Sequence, residues 1–226
     1  MRCSNNFLTP FQSNPMNTIT IYSKKRKLDK LQREHPDAEI IDITSHGEGK
    51  AQLLSPFYPH GNIPIPFTKG IKATCVEAVW QGLKVFASEG VNLATFQNDT
   101  MKNLKRTVRS LGAPLGHQKG LNSRELLDYI TARKLIYLPT YKWVLENVKP
   151  VREYLEELRQ KAEDHELIFL DYNTNIDYLD PKKPLSHAGL VKLYLEGRYP
   201  DFDSAHTASP KNPEGQSVKL EQGSLI

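Results

Sequence analysis

The stretch Thr74-Cys75-Val76-Glu77-Ala78-Val79-Trp80-Gln81-Gly82-Leu83-Lys84-Val85-Phe86 constrains the fold of this chain more than any other. At about 100° per residue, Glu77, Trp80, Gln81 and Lys84 fall in one narrow sector of a helix, and Val76, Val79, Leu83 and Phe86 line most of the remainder. A mostly apolar helix therefore carries an acid, an indole, an amide and an ammonium on one stripe. Such groups are costly to bury unless each is paired, so the stripe is expected to face a polar cleft, a partner surface or water. For Glu77 a local alternative exists: with Thr74 three residues earlier it would form a capping box, its carboxylate returning to the first amides of the helix. Gln81 and Lys84 fit a solvated face equally well.

Around this helix the chain reads as one α+β domain, mainly helical, with a small sheet. Thr18–Tyr22 and Ala38–Thr44 alternate like strands, and the helical pattern of Lys24–His35 between them suggests a βαβ start. Residues 1–17 lack a period and are expected to be a flexible leader; from Asp203 onward Ser, Pro, Gly, Lys and Gln suggest a disordered tail over 203–226. The globular part then spans 18–202, with 18–50 as a βαβ-like extension and 51–202 as the core. Prolines at 56, 59, 64 and 66 rule out a regular helix between Ser45 and Lys72 and leave a stiff loop carrying Tyr58 and His60. These two suit either the lining of a site or aromatic packing within the loop. A helix over Asp99–Leu111 would point Leu104, Val108 and Leu111 inward and Lys102, Lys105, Arg106 and Arg109 outward. With Gly116-His117-Gln118-Lys119-Gly120 after it, this region would suit a phosphate-bearing ligand. Helices are also expected over Ser123–Asn147, with a break at Pro139, and over Val151–Asp164; Arg133, among apolar neighbours, reads as a structural cation in preference to a ligand contact.

Leu167-Ile168-Phe169-Leu170 reads as a buried strand that delivers Asp171-Tyr172-Asn173-Thr174-Asn175-Ile176-Asp177 at its C-terminal end. The D-x-N-x-N-x-D spacing is not an EF-hand, because Ile176 stands where glycine is needed and Lys182 where a bidentate glutamate is needed. Asx turns account for Asn173 and Asn175 but not for two acids grouped there. Ser186 would cap the last helix, and His187 in its first turn is expected to be a neutral hydrogen-bonding group.

Composition limits what these residues can serve. The chain has 226 residues, 38% hydrophobic and 25% charged, with a net charge of +4. That is enough for one core, and no apolar run approaches the roughly 20 residues a membrane helix requires. Two cysteines, Cys3 and Cys75, and the lack of a signal-like leader suggest a reducing, cytoplasmic setting. The positive balance alone is too weak to diagnose nucleic-acid binding.

Two segments carry a resemblance. Ser55-Pro56-Phe57-Tyr58-Pro59 and Val76-Glu77-Ala78-Val79-Trp80-Gln81-Gly82-Leu83-Lys84-Val85-Phe86 resemble the "SNFYP" loop and "VE-x-x-[YW]-Q-[AG]-x-K-F" helix of the NADAR/YbiA-like N-glycosidase superfamily. The resemblance spans about Ser55 to Pro200 and leaves the first 50 residues outside that superfamily's usual domain. Pro56 stands where its loop has Asn, and Asp171–Asp177 lacks the Trp common in its late acidic segment, marking a divergent branch. What the resemblance implies is hydrolysis of the N-glycosidic bond of a phosphate-bearing ribosylated base, free or within DNA or RNA. Glu77 would stabilise an oxocarbenium-like transition state, Asp171 or Asp177 would be the second acid, and Lys84 would hold Glu77 ionised or bind phosphate. Tyr58 or Trp80 would stack on the base. Gln81, His60, His117, Asn175 and His187 complete the expected binding set, with phosphate on Lys105, Arg106, Arg109 and Lys119. No metal or other cofactor is called for. The alternative is a nucleotide or nucleic-acid binding module without chemistry.

Overall fold

The apolar run at 167–170 becomes the centre of a parallel sheet. In the computed structural model, which describes residues 18–202, strand β8 (Leu167–Asp171) is buried at every position, as a strand covered on both faces must be. On one side lies β1 (Ile19–Ser23) and on the other β2 (Glu39–Asp42), both parallel to it, with Leu167 opposite Ile19 and Glu39. Helix α1 (Leu28–Glu34) joins the outer strands and packs Leu31 with Ile168 and Leu170 on one face. Leu167 and Phe169 enter the main core with Ile19 and Ile41.

Residues 18–50 are therefore not an appended extension. Their two strands are not neighbours; each pairs with a strand drawn from the far end of the chain, so the sheet closes only when both ends meet. The leader expected over 1–17 and the tail over 203–226 lie outside the described residues.

Two small antiparallel sheets complete the β structure: β3 (Ile63–Pro64) with β4 (Lys72–Ala73), and β5 (Lys84–Phe86), β6 (Pro114–Gln118) and β7 (Leu126–Leu127) in that order. The helices are α2 (Val76–Gly82), α3 (Leu93–Phe96), α4 (Val108–Leu111), α5 (Tyr129–Ala132), α6 (Leu138–Asn147), α7 (Lys149–Asp164) and α8 (His187–Leu195). The long amphipathic α7 buries Val151, Tyr154, Leu155, Leu158 and Ala162. The result is a single α+β domain. Among the described residues, no helix is long and apolar enough to cross a membrane.

Three helix boundaries differ from those expected. Helix α2 ends at Gly82, so Lys84 reaches the polar stripe from β5 and not as a helical residue. A Cβ at Gly82 would stand 2.3 Å from the buried Phe96 ring; only glycine lets α3 close over α2. Gly82→Ala is accordingly expected to lose about 1–3 kcal/mol of stability through overpacking, measurable by chemical denaturation.

The basic segment is helical only over Val108–Leu111, and Val108 is exposed. Upstream, Asn98 Oδ1 accepts from both the amide and the hydroxyl of Thr100, local bonds that compete with a helix. Met101 and Asn103 take positive φ. Lastly, Leu126 and Leu127 belong to β7, and the helix begins only after Asp128, whose carboxylate caps α5. It then continues through Pro139, which has no N–H for the Leu135 carbonyl and crowds it. The strain is absorbed by one π-helical segment, Arg133–Tyr137, just upstream, and the Thr140 hydroxyl bonds the Ile136 carbonyl at 2.6 Å.

Candidate functional site

The polar stripe of α2 opens into a cavity of about 1010 Å³, near the upper end of volumes that hold small-molecule ligands. Cys75, not Thr74, caps α2: its Sγ accepts from the Ala78 amide at 3.2 Å, and the Thr74 hydroxyl turns away to the Asn98 carbonyl. Burial pushes the Cys75 thiol up to about 11. The Glu77 amide is bound by the Pro56 carbonyl at 2.8 Å, which latches the proline loop onto the first turn of α2. With its amide occupied in this way, Glu77 is not part of a capping box.

Glu77 is buried, 8% exposed, yet lines the cavity. Gln81 Nε2 donates to Glu77 Oε1 at 2.6 Å, and Gln81 Oε1 accepts from Lys84 Nζ at 2.9 Å and from the Arg106 amide at 3.1 Å. The amide thus bridges carboxylate and ammonium, with its orientation fixed by two donors on one end and an acceptor on the other. Among the described residues, the second carboxylate oxygen of Glu77 has no hydrogen-bond partner. Burial lowers the Lys84 pKa below the ordinary lysine range, the Glu77 charge opposes this, and Arg106 and Lys105 reinforce it.

One wall is aromatic. Trp80 meets Tyr129 and Tyr137 edge-on, with ring centroids 5.9 and 5.5 Å away. Tyr129, Arg133 and Tyr137, spaced four apart, all line the cavity. Arg133 is 2% exposed. Its guanidinium is held by the carbonyls of Tyr178, Asp180 and Lys183 and donates to the Tyr129 hydroxyl at 2.8 Å. It is the structural cation expected, and it also closes the floor of the cavity.

The opposite corner is built where β8 ends. In parallel sheets ligand crevices form outside the C-terminal strand ends, and Asp171 occupies that position. Its Oδ2 accepts from the Ser186 hydroxyl at 2.7 Å and the Ala188 amide at 3.3 Å, Oδ1 from the Tyr172 amide at 2.6 Å, and His187 Nδ1 stands 3.2 Å from Oδ2. With both oxygens so engaged, Asp171 is an anchored acceptor at the cavity wall and has no free oxygen for the second-acid role expected. His187 Nε2 contacts the Ile43 carbonyl at 2.7 Å, so the two ring nitrogens tie the start of α8 to the ends of β8 and β2.

The rim is basic. Lys102 and Lys105 line the cavity beside Lys84, and Lys105 Nζ sits 5.6 Å from the centre of the Phe57 ring. Arg106 does not join them. Its guanidinium turns inward to the carbonyls of Gln81, Lys84 and Gly90 and pairs with Glu89 at 3.2 Å; it fastens β5 to α2 in place of binding phosphate.

Of the residues singled out in sequence, Glu77, Trp80, Gln81, Lys84, Lys105, Asp171 and His187 converge on the cavity. Lys102, Arg133 and Asn173 join them, and the remaining residues expected to catalyse or bind lie elsewhere. Tyr58 packs at a tilt against His60 with ring centres 4.8 Å apart, and His60 Nε2 contacts the Leu53 carbonyl, so the pair braces the loop while Pro56 and Phe57 face the cavity. Arg109 is exposed on the short α4, and Lys119 pairs with Glu125 at 2.9 Å. Asn175 and Asp177 form successive Asx turns, Asn175 Oδ1 accepting from the Asp177 amide and Asp177 Oδ1 from the Leu179 amide.

His117, opposite Lys84 in the β5–β6 register, stacks behind Trp80 at 3.8 Å. It is 2% exposed with neither ring nitrogen bonded. It supports the indole from behind and does not line the cavity. The residues that sequence reading missed are Tyr129 and Tyr137; with Arg133 their i, i+4, i+8 spacing was the available signal. Among the described residues no three His, Cys, Asp or Glu side chains are grouped as a metal site would need.

Comparison with known proteins adds one match. A family model described as "Family of unknown function (DUF6939)" covers residues 23–191, which includes β2 and β8 of the parallel sheet and every cavity residue named above. No curated protein and no solved structure matches.

Proposed function

The chain belongs to that family, DUF6939, and we propose that it is an N-glycosidase acting on a phosphate-bearing ribosylated base, with Glu77 as the carboxylate that steadies the reaction. The observation that carries this reading is the state of Glu77: buried, held through one oxygen by Gln81, with the other oxygen unpartnered beside an aromatic wall and three lysines. An N-glycosidic bond breaks as positive charge builds on the ribose C1′ and ring oxygen, and a carboxylate in a low-dielectric pocket gains most at that point. Its free oxygen also suits the orientation of the attacking water. The edge-on cluster around Trp80 offers a face for a base, and Lys84, Lys102 and Lys105 offer charge-assisted donors to phosphate. The motif resemblance of the 55–59 loop and α2 to NADAR/YbiA-like enzymes supports the same assignment, and those two segments are joined here by the Glu77 to Pro56 bond.

The test is release of free base from an ADP-ribosylated nucleobase, followed by chromatography. Wild-type protein is expected to yield base and ADP-ribose in equal amounts. Binding of ADP-ribose without release from any phosphate-bearing ribosylated base, and with affinity falling steeply with salt, would leave a nucleotide-binding module in its place.

A further inference from the structure

With the lysines of the rim assigned to phosphate, the proposed reaction names no donor for the departing base. Asp171 is an engaged acceptor and Asp177 lies outside the cavity. Tyr137 fills this gap on geometric grounds. It lines the cavity at the end of the π segment, its ring edge-on to Trp80 at 5.5 Å. Around it the hydroxyls of Tyr141 and Tyr199 donate to the carbonyls of Leu54 and Leu138, and that of Tyr129 accepts from Arg133. The Tyr137 hydroxyl has no protein partner among the described residues. A π-helical segment is frequently found at functional sites because it re-aims side chains without ending the helix, and here it places this hydroxyl against the aromatic wall.

We infer that Tyr137 is a neutral hydrogen-bond donor of the cavity and that its hydroxyl binds an acceptor atom on the base, an inference resting on the cavity being a nucleotide site. Two features support donation over acceptance. Burial, together with the negative fields of Glu77 and then Asp171, pushes the phenol well above its ordinary range, so it keeps its proton throughout the physiological span. Glu77 and Asp171 themselves supply only acceptors on this side, so a ligand acceptor finds its complement in the phenol. The base is the part of the ligand that would face Trp80, and Tyr137 is the donor adjoining that face.

Tyr137→Phe removes the hydroxyl and keeps the ring. Calorimetric titration of wild type and Y137F with AMP, with GMP and with ribose 5-phosphate separates the possibilities. Affinity for the two nucleotides is expected to fall about two- to tenfold, the effect of one neutral hydrogen bond. Ribose 5-phosphate should bind both proteins equally, and the unfolding midpoint should not move. Equal nucleotide affinities for both proteins would overturn the inference and leave the proposed reaction standing. So would a loss shared by ribose 5-phosphate, or a fall in the unfolding midpoint. Failure of wild type to bind any of the three would remove the nucleotide site itself, and the inference with it.

Discussion

Glu77→Gln is expected to reduce base release by about 10²–10⁴-fold, roughly 3–5 kcal/mol of transition-state stabilisation, while ADP-ribose affinity and the unfolding midpoint change little. The reasoning lies in the hydrogen bonds. Gln81 Nε2 donates to Glu77 Oε1, and a glutamine amide oxygen accepts that bond as well, so the Glu77–Gln81–Lys84 relay stays closed. What disappears is the negative charge, which matters chiefly when the sugar becomes cationic. A lowered kcat with a nearly unchanged KM is the signature of an interaction made in the transition state.

A second readout accompanies it. The Glu77 charge supports the ammonium of the half-buried Lys84 against burial and against Arg106 and Lys105. Without that charge the Lys84 pKa falls further, so the pH at which phosphate binding weakens should move downward in Glu77→Gln. Retention of wild-type turnover by this variant would remove Glu77 from the chemistry altogether.

How far the sequence displayed this site depends on the range of the forces that formed each part. The stripe on α2 was legible because it is set by helical period within seven residues, and β8 because four adjacent apolar residues leave few alternatives. Ser186 was legible as a cap for the same local reason, and its Oγ accepts from the Gly189 amide at 3.0 Å. The end of α2 was not, because it is set by Phe96 lying against Gly82, a contact between separate elements. The basic segment misled because Leu104, Val108 and Leu111 mimic a helical period, whereas the Asn98–Thr100 bonds that divert the backbone leave no periodic trace. Arg106 misled for a related reason. Charge alone does not tell a guanidinium that binds a ligand from one that satisfies three backbone carbonyls. The insertion of β8 between β1 and β2 had no local signature, since parallel pairing carries no turn between partners.

Acidification from pH 7 to pH 4 is expected to cost the fold about 3 kcal/mol through His117 alone. Burial first, and the Lys84 charge second, lower this histidine from 6.5 to about 3 in the folded protein. The unfolded chain therefore binds a proton near pH 6.5 that the folded protein refuses until about pH 3. Stability is complete above the higher value and is lost progressively as pH falls toward the lower one. Burial lowers His60 as well, against the Leu53 carbonyl, and Asp42 is lowered by Lys24 and Thr44 in spite of burial; both add losses with the same sign.

His117→Phe isolates the contribution of one ring. Phenylalanine keeps a planar group behind Trp80, takes up no proton, and strands no ring nitrogen, so the variant should match or exceed wild-type stability at pH 7. Denaturant titrations at the two pH values should give a loss about 3 kcal/mol smaller in the variant, because the shared contributions of His60 and Asp42 cancel in the difference. Parallel losses in the two proteins would mean that the imidazole reaches solvent or a partner in the folded state. The outcome bears on the site directly: a proton on His117 would set a cation against the back of Trp80 and opposite Lys84, so acid should loosen the aromatic wall and the Lys84 end of the relay together.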